Sequence, residues 1–332
     1  MDANSNGEMA CLSDSWHLAS MKPKDWVRFL SPMLLKNDNR GKLITTMLKN
    51  GELTQEKLVD MEKRYLHLVR EKVIQGNIFG IELDTPVYRT MSCSDFHKSL
   101  ESGTLFLTNP LKWAESGDSW ENLILSGGVY LFNENKPDHN MVSLTDQMRN
   151  ELRNWYAQSW SLMPECDALW NRYTADGNRA VRISTTVGKL MHSIFGDAES
   201  YATTFMRRVR YLSESEIEES KVIYAPFKQE ESILLLLNLK RLAYAYEKEV
   251  RLVYFDRDGK NDDVKGQSIK IPVHGGLLSF IESIELDPNC PSDWRDAENV
   301  FLRKHGYKSD VVISKLNTPS LKPTVVVTDN VC

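Results

Sequence analysis

The sequence predicts an α+β fold with a mixed sheet, preceded by a helical region. Apolar residues recur at three-to-four spacing before residue 83, as in helices, whereas short strand patterns begin after it. Beyond that point helices and strands are intermixed without the regular strand–helix repeat of a doubly wound sheet. The chain has 332 residues, of which 41% are hydrophobic, enough for a core without disulfides. We divide it into a tail and helical region at 1–82 and an α+β domain at 83–332.

The helical region has a charge balance opposite to that of the whole chain. Residues 1–20 form a polar tail, and residues 24–75 carry the helical spacing, with Thr54 before the second helix. Between residues 20 and 80 there are 12 Lys or Arg against 7 Asp or Glu, while the chain has a net charge of -5. This region could steer an anionic partner or form a lid over a cleft. The alternative is an ordinary solvated helix surface.

The elements of the second region follow from local patterns. Short runs rich in β-branched and aromatic residues predict strands, at 86–90, 104–108, 158–162, 180–184, 209–212, 250–255, 268–273, 281–286 and 311–314. Apolar residues at helical spacing predict helices, the first with Ser94 as its N-cap and Gly103 at its end. These helices are at 94–100, 144–156, 164–173, 185–193, 196–207, 230–245 and 297–304.

Composition and cysteine usage exclude several classes of protein. The net charge of -5 gives no whole-chain reason for sequence-independent nucleic-acid binding. The sequence has five cysteines, an odd number, and no CxxC motif. Neither a zinc ribbon nor a disulfide framework is therefore indicated. The first residues are polar and acidic, unlike a signal peptide, and the longest apolar run, 233–237, is too short to span a bilayer. We expect a cytoplasmic protein with no membrane partner.

The motifs of common enzyme classes are missing from the sequence. There is no GxGxxG, GxxxxGK[ST], HExxH or GxSxG, which argues against dehydrogenases, P-loop NTPases, zincins and α/β-hydrolases. The seven histidines are scattered without the spacing typical of metal ligands. We therefore expect no metal, and a site assembled from distant positions.

One predicted strand begins with two carboxylates. A period of two places Glu247, Glu249 and Arg251 on one face of this strand. Adjacent carboxylates repel each other, which can leave one available as a base or as a stabiliser of positive charge. The alternative is a solvent-exposed face on which Arg251 neutralises Glu249.

Two further strands carry polar residues. Ser159 and Ser161 lie on one face of the strand at 158–162, which could equally be the polar side of a half-buried strand. Arg89 lies inside the first strand of the α+β region. Its guanidinium could hold a phosphate bidentately or pair with a neighbouring carboxylate.

The order Arg, Ser-x-Ser, Glu-x-Glu resembles that of the Arg-Ser-Glu class of mono-ADP-ribosyltransferases. The resemblance implies an ADP-ribosyltransferase-like sheet and NAD as substrate. It implies that Arg89 holds the NAD phosphates and that Ser159 and Ser161 support the nicotinamide ribose. Glu249 would contact the ribose hydroxyl, and Glu247 would orient or deprotonate the acceptor. The chemistry suits these residue types, because a fixed carboxylate stabilises the oxocarbenium-like centre formed when the nicotinamide–ribose bond breaks.

A second resemblance extends from about residue 86 to 319. It is to the prokaryotic domain-of-unknown-function family 2971, and its landmarks are LFLTNP at 105–110, LWNRY at 169–173, Gly177, YEKEVR at 246–251 and the segment 306–314. It implies that Trp170, Tyr173 and the Glu-Lys-Glu strand belong to one shared site or core. Trp170 and Tyr173 are three residues apart, hence on one helix face. They could form a stacking wall for nicotinamide or a base, or pack on the sheet.

Three functions remain open at the level of sequence. The first is an NAD-dependent mono-ADP-ribosyltransferase that modifies a protein or nucleic acid, in a toxin or phage-defence setting. The second is a non-enzymatic interaction or regulatory protein of the same fold. The third is a metal-dependent nuclease that uses Glu247 and Glu249 with a distant aspartate. Nicotinamide release from NAD without metal would distinguish the first from the others.

Overall fold

A computed structural model describes residues 70–71, 73–115, 130–131, 142–143, 150–194, 203–219, 229–256 and 268–318. The predicted tail and most of the predicted helical region lie outside these residues. Residues 73–76 are helical and lead into the domain, where Val73 and Ile74 are buried. None of the helices within the described residues is long and apolar enough to cross a membrane.

The described strands are β1 (Ile78–Phe79), β2 (Pro86–Ser92), β3 (Thr104–Thr108), β4 (Tyr130–Leu131), β5 (Val142–Ser143), β6 (Trp155–Ser161), β7 (Ala180–Thr186), β8 (Thr204–Arg208), β9 (Arg210–Leu212), β10 (Leu239–Arg241), β11 (Glu249–Phe255), β12 (Ser268–Pro272), β13 (Ser283–Leu286) and β14 (Val312–Ile313). The helices are α1 (Cys93–Ser102), α2 (Asp167–Thr174), α3 (Val187–Ile194), α4 (Glu214–Glu219), α5 (Gln229–Leu236) and α6 (Ser292–Lys304). Short 3₁₀ turns cover Pro110–Glu115, Ala175–Gly177, Leu242–Glu247 and Leu277–Ser279.

Within the described residues, one mixed sheet of ten strands organises the domain. Its main path runs β1-β8-β11-β6-β2-β7-β13-β14, and β3 joins β12 to β6 beside that path. β1 with β8 and β13 with β14 are parallel, while the central pairs are antiparallel. The two remaining sheets have two strands each, β9 with β10 and β4 with β5. The α+β prediction with a mixed sheet is confirmed.

β11 lies in the centre of the sheet and is buried on both faces. Val250 and Leu252 pack into one apolar cluster, while Val253 and Phe255 pack into a second cluster on the opposite face. A strand covered on both faces is a nearly continuous apolar run rather than an alternating one. The charged residues of β11 are therefore placed in the interior, where they need fixed partners.

Helix α1 is held at both ends by local chemistry. The Ser92 hydroxyl accepts a hydrogen bond from the Asp95 N–H at 3.1 Å, so Ser92 rather than Ser94 is the N-cap. Gly103 closes the helix at φ 61°, a left-handed conformation that glycine adopts without steric cost. The helix consequently begins directly after β2, the strand that carries Arg89.

Three predicted helices are wrong in extent or type. The helix predicted at 230–245 ends at Leu236, and β10 and a 3₁₀ turn follow it. Part of the helix predicted at 196–207 is strand β8, which fills the place between β1 and β11. The helix predicted at 144–156 gives way to β6, which begins at Trp155. In each case hydrogen bonding to a neighbouring strand outweighs a weak local preference for helix.

Candidate active site

A cavity of about 570 Å³ opens where strands β2, β6 and β11 lie side by side. Six of the seven residues that the sequence singles out line it, namely Arg89, Ser159, Ser161, Tyr173, Glu247 and Glu249. The other lining residues are Tyr88, Thr90, Phe106, Thr108, Lys112, Trp113, Ala157, Gln158, Trp160, Leu169, Arg172, Lys240 and Ser268. Its volume lies in the range of about 300–1,000 Å³ that is typical of small-molecule sites.

The register of the three strands brings Arg89, Ser159 and Glu249 together. Glu249 is paired with Ser161 on β6, and Tyr88 of β2 is paired with the same serine from the other side. The Arg89 Nη1 donates to the Ser159 carbonyl at 2.5 Å, and the Ser159 hydroxyl donates to the Glu249 carboxylate. A chain of direct contacts therefore joins the arginine, the serine and the glutamate.

The Glu249 carboxylate is buried and accepts from four donors. Arg251 donates from Nε at 2.7 Å and from Nη2 at 3.2 Å, and Lys240 Nζ donates at 3.0 Å. The Ser159 hydroxyl is the fourth donor. Burial raises the pKa of Glu249, but the charges of Arg251 and Lys240 and these hydrogen bonds outweigh it, so the pKa falls to about 2. Glu249 is therefore a permanent anion at neutral pH rather than a base.

The predicted pairing of Glu249 with Arg251 is present, but not on a solvent face. The two side chains are 3% and 0% exposed. The Arg251 Nη1 also donates to the Leu237 carbonyl at 2.5 Å, and the guanidinium lies over the Trp113 ring, 4.4 Å from its centroid. The ion pair is thus an interior structure, and the exposed-face alternative is wrong.

Lys240 joins the two glutamates. Its Nζ lies 2.7 Å from Glu247 Oε2 and 3.0 Å from Glu249 Oε2. Glu247 is not part of the strand as predicted. It ends the 3₁₀ turn, and Lys248 follows in a left-handed conformation at φ 41°. This kink brings the Glu247 carboxylate to the same cation as that of Glu249.

Ser161 and Tyr173 line the cavity, whereas Trp170 does not. The buried Ser161 hydroxyl donates to the Glu247 carbonyl at 2.6 Å and so holds the turn. Tyr173 lines the cavity. Trp170 does not line it, because its ring is buried, its Nε1 donates to Glu165 at 3.2 Å and the Arg182 guanidinium lies 5.4 Å from its centroid. We therefore leave Trp170 out of the candidate site.

Among the described residues, the lining of the cavity has more cations than anions. Four cations, Arg89, Lys112, Arg172 and Lys240, face two anions, Glu247 and Glu249. Arg172 is 49% exposed and lies 3.1 Å from Glu247. The sequence analysis missed Lys112, Arg172 and Lys240, because no strand or motif pattern distinguishes them from surface cations. The excess charge favours an anionic ligand.

Arg89 has a donor available for such a ligand. Its Nε is buried and has no hydrogen-bond partner among the described residues. Burial lowers the pKa of Arg89 from its usual value, although a guanidinium stays protonated in proteins. A buried donor without a partner is costly, and a ligand oxygen in the cavity would satisfy it.

The lining does not suit a pair of metal ions. None of the described residues that line the cavity is an aspartate or a histidine. Lys240 lies against both carboxylates, where a divalent cation would have to bind. The nuclease alternative therefore lacks a ligand set at this cavity.

No family model and no curated protein matches the chain, so the resemblance to family 2971 gains no support. Among solved structures, the chain is similar to DarT from Thermus sp. 2.9 in complex with NAD+, with 13% identity, a TM-score of 0.32, and 70% of this chain and 97% of that chain covered. It is also similar to the same protein in complex with carba-NAD+, at 12% identity and a TM-score of 0.30, covering 70% and 96%. Similarity at this level assigns no residue role, and the roles proposed below rest on the cavity.

Proposed function

We propose that this protein transfers ADP-ribose from NAD to a macromolecule, with NAD hydrolysis as the outcome when no acceptor is bound. The observation that supports the proposal is the contact chain of Arg89, Ser159 and Glu249 on three neighbouring strands, facing one cavity with excess positive charge. Each of these residues suits one part of the chemistry.

Arg89 is proposed to bind the pyrophosphate of NAD. The Ser159 carbonyl fixes the guanidinium through Nη1, and the buried Nε has no partner among the described residues. A planar guanidinium held in this way is suited to a bidentate contact with a phosphate. The remaining cations of the lining neutralise the second charge of the pyrophosphate.

Glu249 is proposed to stabilise the ribose in the transition state. The bond between the nicotinamide nitrogen and ribose C1′ breaks, its electron pair leaves with nicotinamide, and positive charge develops on the ribose. An acceptor atom then bonds to C1′ and loses its proton. A carboxylate with a pKa of about 2 is fully ionised throughout, so it acts as a fixed negative charge.

The ribose hydroxyl would have to displace one of the four donors on Glu249. A carboxylate offers about four acceptor positions, and Arg251, Lys240 and Ser159 occupy them. Arg251 and Lys240 are buried, whereas Ser159 is the exposed partner. We propose that the ribose hydroxyl takes the place of the Ser159 hydroxyl, which then turns to the ribose.

Glu247 is proposed to orient the acceptor. Its carboxylate pairs with Arg172 at the open side of the cavity and with Lys240 inside it. The acceptor is a protein or a nucleic acid. We extend the proposal to a toxin or phage-defence role in the cytoplasm, where NAD is available.

The test measures nicotinamide release from NAD with and without Mg²⁺. Arg89→Lys should weaken NAD binding at least tenfold because a lysine cannot make the bidentate contact. Arg303→Lys is the control, since the exposed Arg303 guanidinium pairs with Asp310 and does not line the cavity. Glu249→Gln should slow nicotinamide release about a hundred- to a thousandfold. Because it also disturbs a buried pair, rates are compared only for samples with native circular dichroism.

Ser159→Ala provides a variant that is expected to fold normally, because Ser159 is exposed. It should slow nicotinamide release roughly tenfold, the effect of losing one hydrogen bond to a charged group. Ser184→Ala is its control, since the Ser184 hydroxyl contacts Ser283 on another pair of strands. An active Glu249→Gln protein, or metal-dependent cleavage of nucleic acid in place of nicotinamide release, would contradict the proposal. The absence of nicotinamide release from NAD under all conditions would favour the non-enzymatic alternative.

The basic N-terminal region is proposed to engage the acceptor. Residues 20–69 contain 10 Lys or Arg against 6 Asp or Glu, a balance that suits an anionic surface. Removal of residues 1–69 retains Val73 and Ile74, which are buried in the domain. This deletion should reduce macromolecular modification more than NAD hydrolysis. Equal loss of both activities in a folded deletion variant would make the region structural.

A further inference from the structure

A second cluster of reactive side chains lies outside the cavity, between the first and last helices. Cys93 and His97 are four residues apart on α1 and therefore on one face of it. Glu298 comes from α6, 201 residues after His97. None of the three lines the cavity, and none has a role in the proposed transfer.

The three side chains converge on one point. Cys93 Sγ lies 3.4 Å from His97 Nε2 and 3.7 Å from Glu298 Oε2, and His97 Nε2 lies 2.8 Å from Glu298 Oε1. Their ligand atoms all fall within 4.8 Å of one another. In a catalytic triad the nucleophile and the acid contact different nitrogens of the histidine. Here both contact Nε2, so the arrangement is not a proton relay.

The carboxylates of the cluster have few cationic partners among the described residues, because the two arginines near Cys290 are engaged elsewhere, Arg179 over the Trp294 ring and Arg295 with Asp296. The Glu298 side chain is 3% exposed, and His97 is its one ion-pair partner among the described residues. The nearby Asp287 is also buried, and its Oδ2 has no hydrogen-bond partner among them. Asp287 lies close to the cluster, because its carbonyl accepts from the Cys290 N–H at 3.0 Å and its own N–H donates to the Ala180 carbonyl at 3.2 Å, one residue after the Arg179 carbonyl that accepts from the Cys93 N–H. Two buried carboxylates with so little compensation are costly unless a cation joins them.

We propose that Cys93, His97 and Glu298 bind a Zn²⁺ ion that links α1 to α6. A thiolate, an imidazole nitrogen and a carboxylate oxygen are the ligand types of protein zinc sites. At bond lengths of about 2.0–2.3 Å, tetrahedral ligands lie roughly 3.3–3.5 Å apart. The sulfur separations are close to this, and the His97–Glu298 contact has to open by about 0.5 Å. Cys290 or a water molecule completes the four ligands.

Binding of Zn²⁺ replaces the contacts among the three side chains by bonds to the metal, and the charges of the ion and its ligands balance. The Cys93 thiol loses its proton to solvent, and His97 binds through Nε2 in its neutral form. The ion then provides two positive charges for the Cys93 thiolate and Glu298, with Asp287 beside them.

The experiment uses the full chain, stripped of metal with a chelator and titrated with Zn²⁺. We expect one Zn²⁺ per chain and a rise of about 3–5 °C in the thermal midpoint at a hundredfold excess over Kd. Cys93→Ser, His97→Gln and Glu298→Gln should each lower the affinity at least tenfold. Cys166→Ser and His274→Gln are matched controls outside the cluster and should bind as the wild type does.

Co²⁺ supplies a readout that does not depend on stability. A tetrahedral site with one thiolate should give a sulfur-to-cobalt charge-transfer absorption, which Cys93→Ser should abolish and Cys166→Ser should keep. Binding well below one ion per chain would overturn the proposal. So would unchanged affinity in a Glu298→Gln variant whose circular dichroism matches that of the wild type without metal.

Discussion

Glu249 and Glu298 are both buried carboxylates, but they differ in the cations that contact them. Glu249 contacts Arg251 and Lys240 in the centre of the sheet, beside a cavity with four cations in its lining. Glu298 contacts His97 and Cys93 between two helices, and its neighbour Asp287 has an unpartnered oxygen. Among the described residues, two permanent cations contact Glu249, whereas a histidine is the one ion-pair partner of Glu298.

The difference indicates what each region can bind. A buried carboxylate requires compensation, and where the chain itself supplies it the anion is fixed and a buried donor such as the Arg89 Nε can bind a ligand. Where the chain does not supply it, a cation from solution is the partner that lowers the free energy of the folded state. The same residue type therefore belongs to an anion-binding cavity in one place and to a proposed metal site in the other.

The largest expected effect on stability comes from breaking the buried ion pair of Glu249 and Arg251. Arg251→Met leaves the buried Glu249 with donors from Lys240 and Ser159 and should lower the free energy of unfolding by about 3–5 kcal/mol. Lys189→Met, which breaks the exposed Lys189–Glu282 pair, should cost about 0–1 kcal/mol. Urea denaturation measures both. Equal costs for the two variants would show that the buried pair adds no more than a surface pair. Adding Glu249→Gln to Arg251→Met should recover part of the loss.

An effect on the order of 3 kcal/mol is expected from pH. The pKa of Glu249 in the folded protein is about 2, below its ordinary value of 4.5, so the folded state favours the ionised form. Its contribution is fully present above pH 4.5 and is lost as the pH falls towards 2. The stability difference between wild type and Glu249→Gln, measured in urea at several pH values, should shrink across this interval. A difference that stays constant would contradict the lowered pKa.

The smallest effect is expected at Glu298 in the metal-free protein. Glu298→Gln removes an undercompensated charge while keeping a hydrogen bond to His97, so the free energy of unfolding should change by at most about 1 kcal/mol. With Zn²⁺ present, the same variant should be clearly less stable than the wild type. A large loss of stability in the metal-free variant would mean that His97 already compensates the charge of Glu298. The two carboxylates would then not differ in their compensation.

Several parts of the fold followed from local pattern. The α+β class, strand β3 at its full length and the termination of α1 at Gly103 were predicted, because alternation, turn residues and a left-handed cap are properties of adjacent residues. The helix predicted through 230–245 was wrong, because the segment Leu239–Arg241 pairs with Arg210–Leu212, almost 30 residues earlier. Nothing within the segment itself signals that partner.

The candidate site was likewise predictable from the sequence only in part. The residue types Arg89, Ser159 and Glu249 and their order along the chain were visible in the sequence. Lys240 was not, because its role depends on a turn that brings its amine to two carboxylates seven and nine residues away. The Cys93-x₃-His97 spacing of the proposed zinc site was not singled out in the sequence, since the third proposed ligand, Glu298, lies 201 residues after His97.

The amino-acid sequence alone determined which strands and helices can form and which polar residues occur in them. The tertiary structure decided which charges meet. Pairing of β11 with β6 and β8 buried Glu249 and Arg251 together, and the approach of α6 to α1 placed Glu298 beside a cysteine and a histidine. Periodicity acts over a few residues, whereas the energy of a buried charge depends on every group within several ångströms, whatever its position in the sequence.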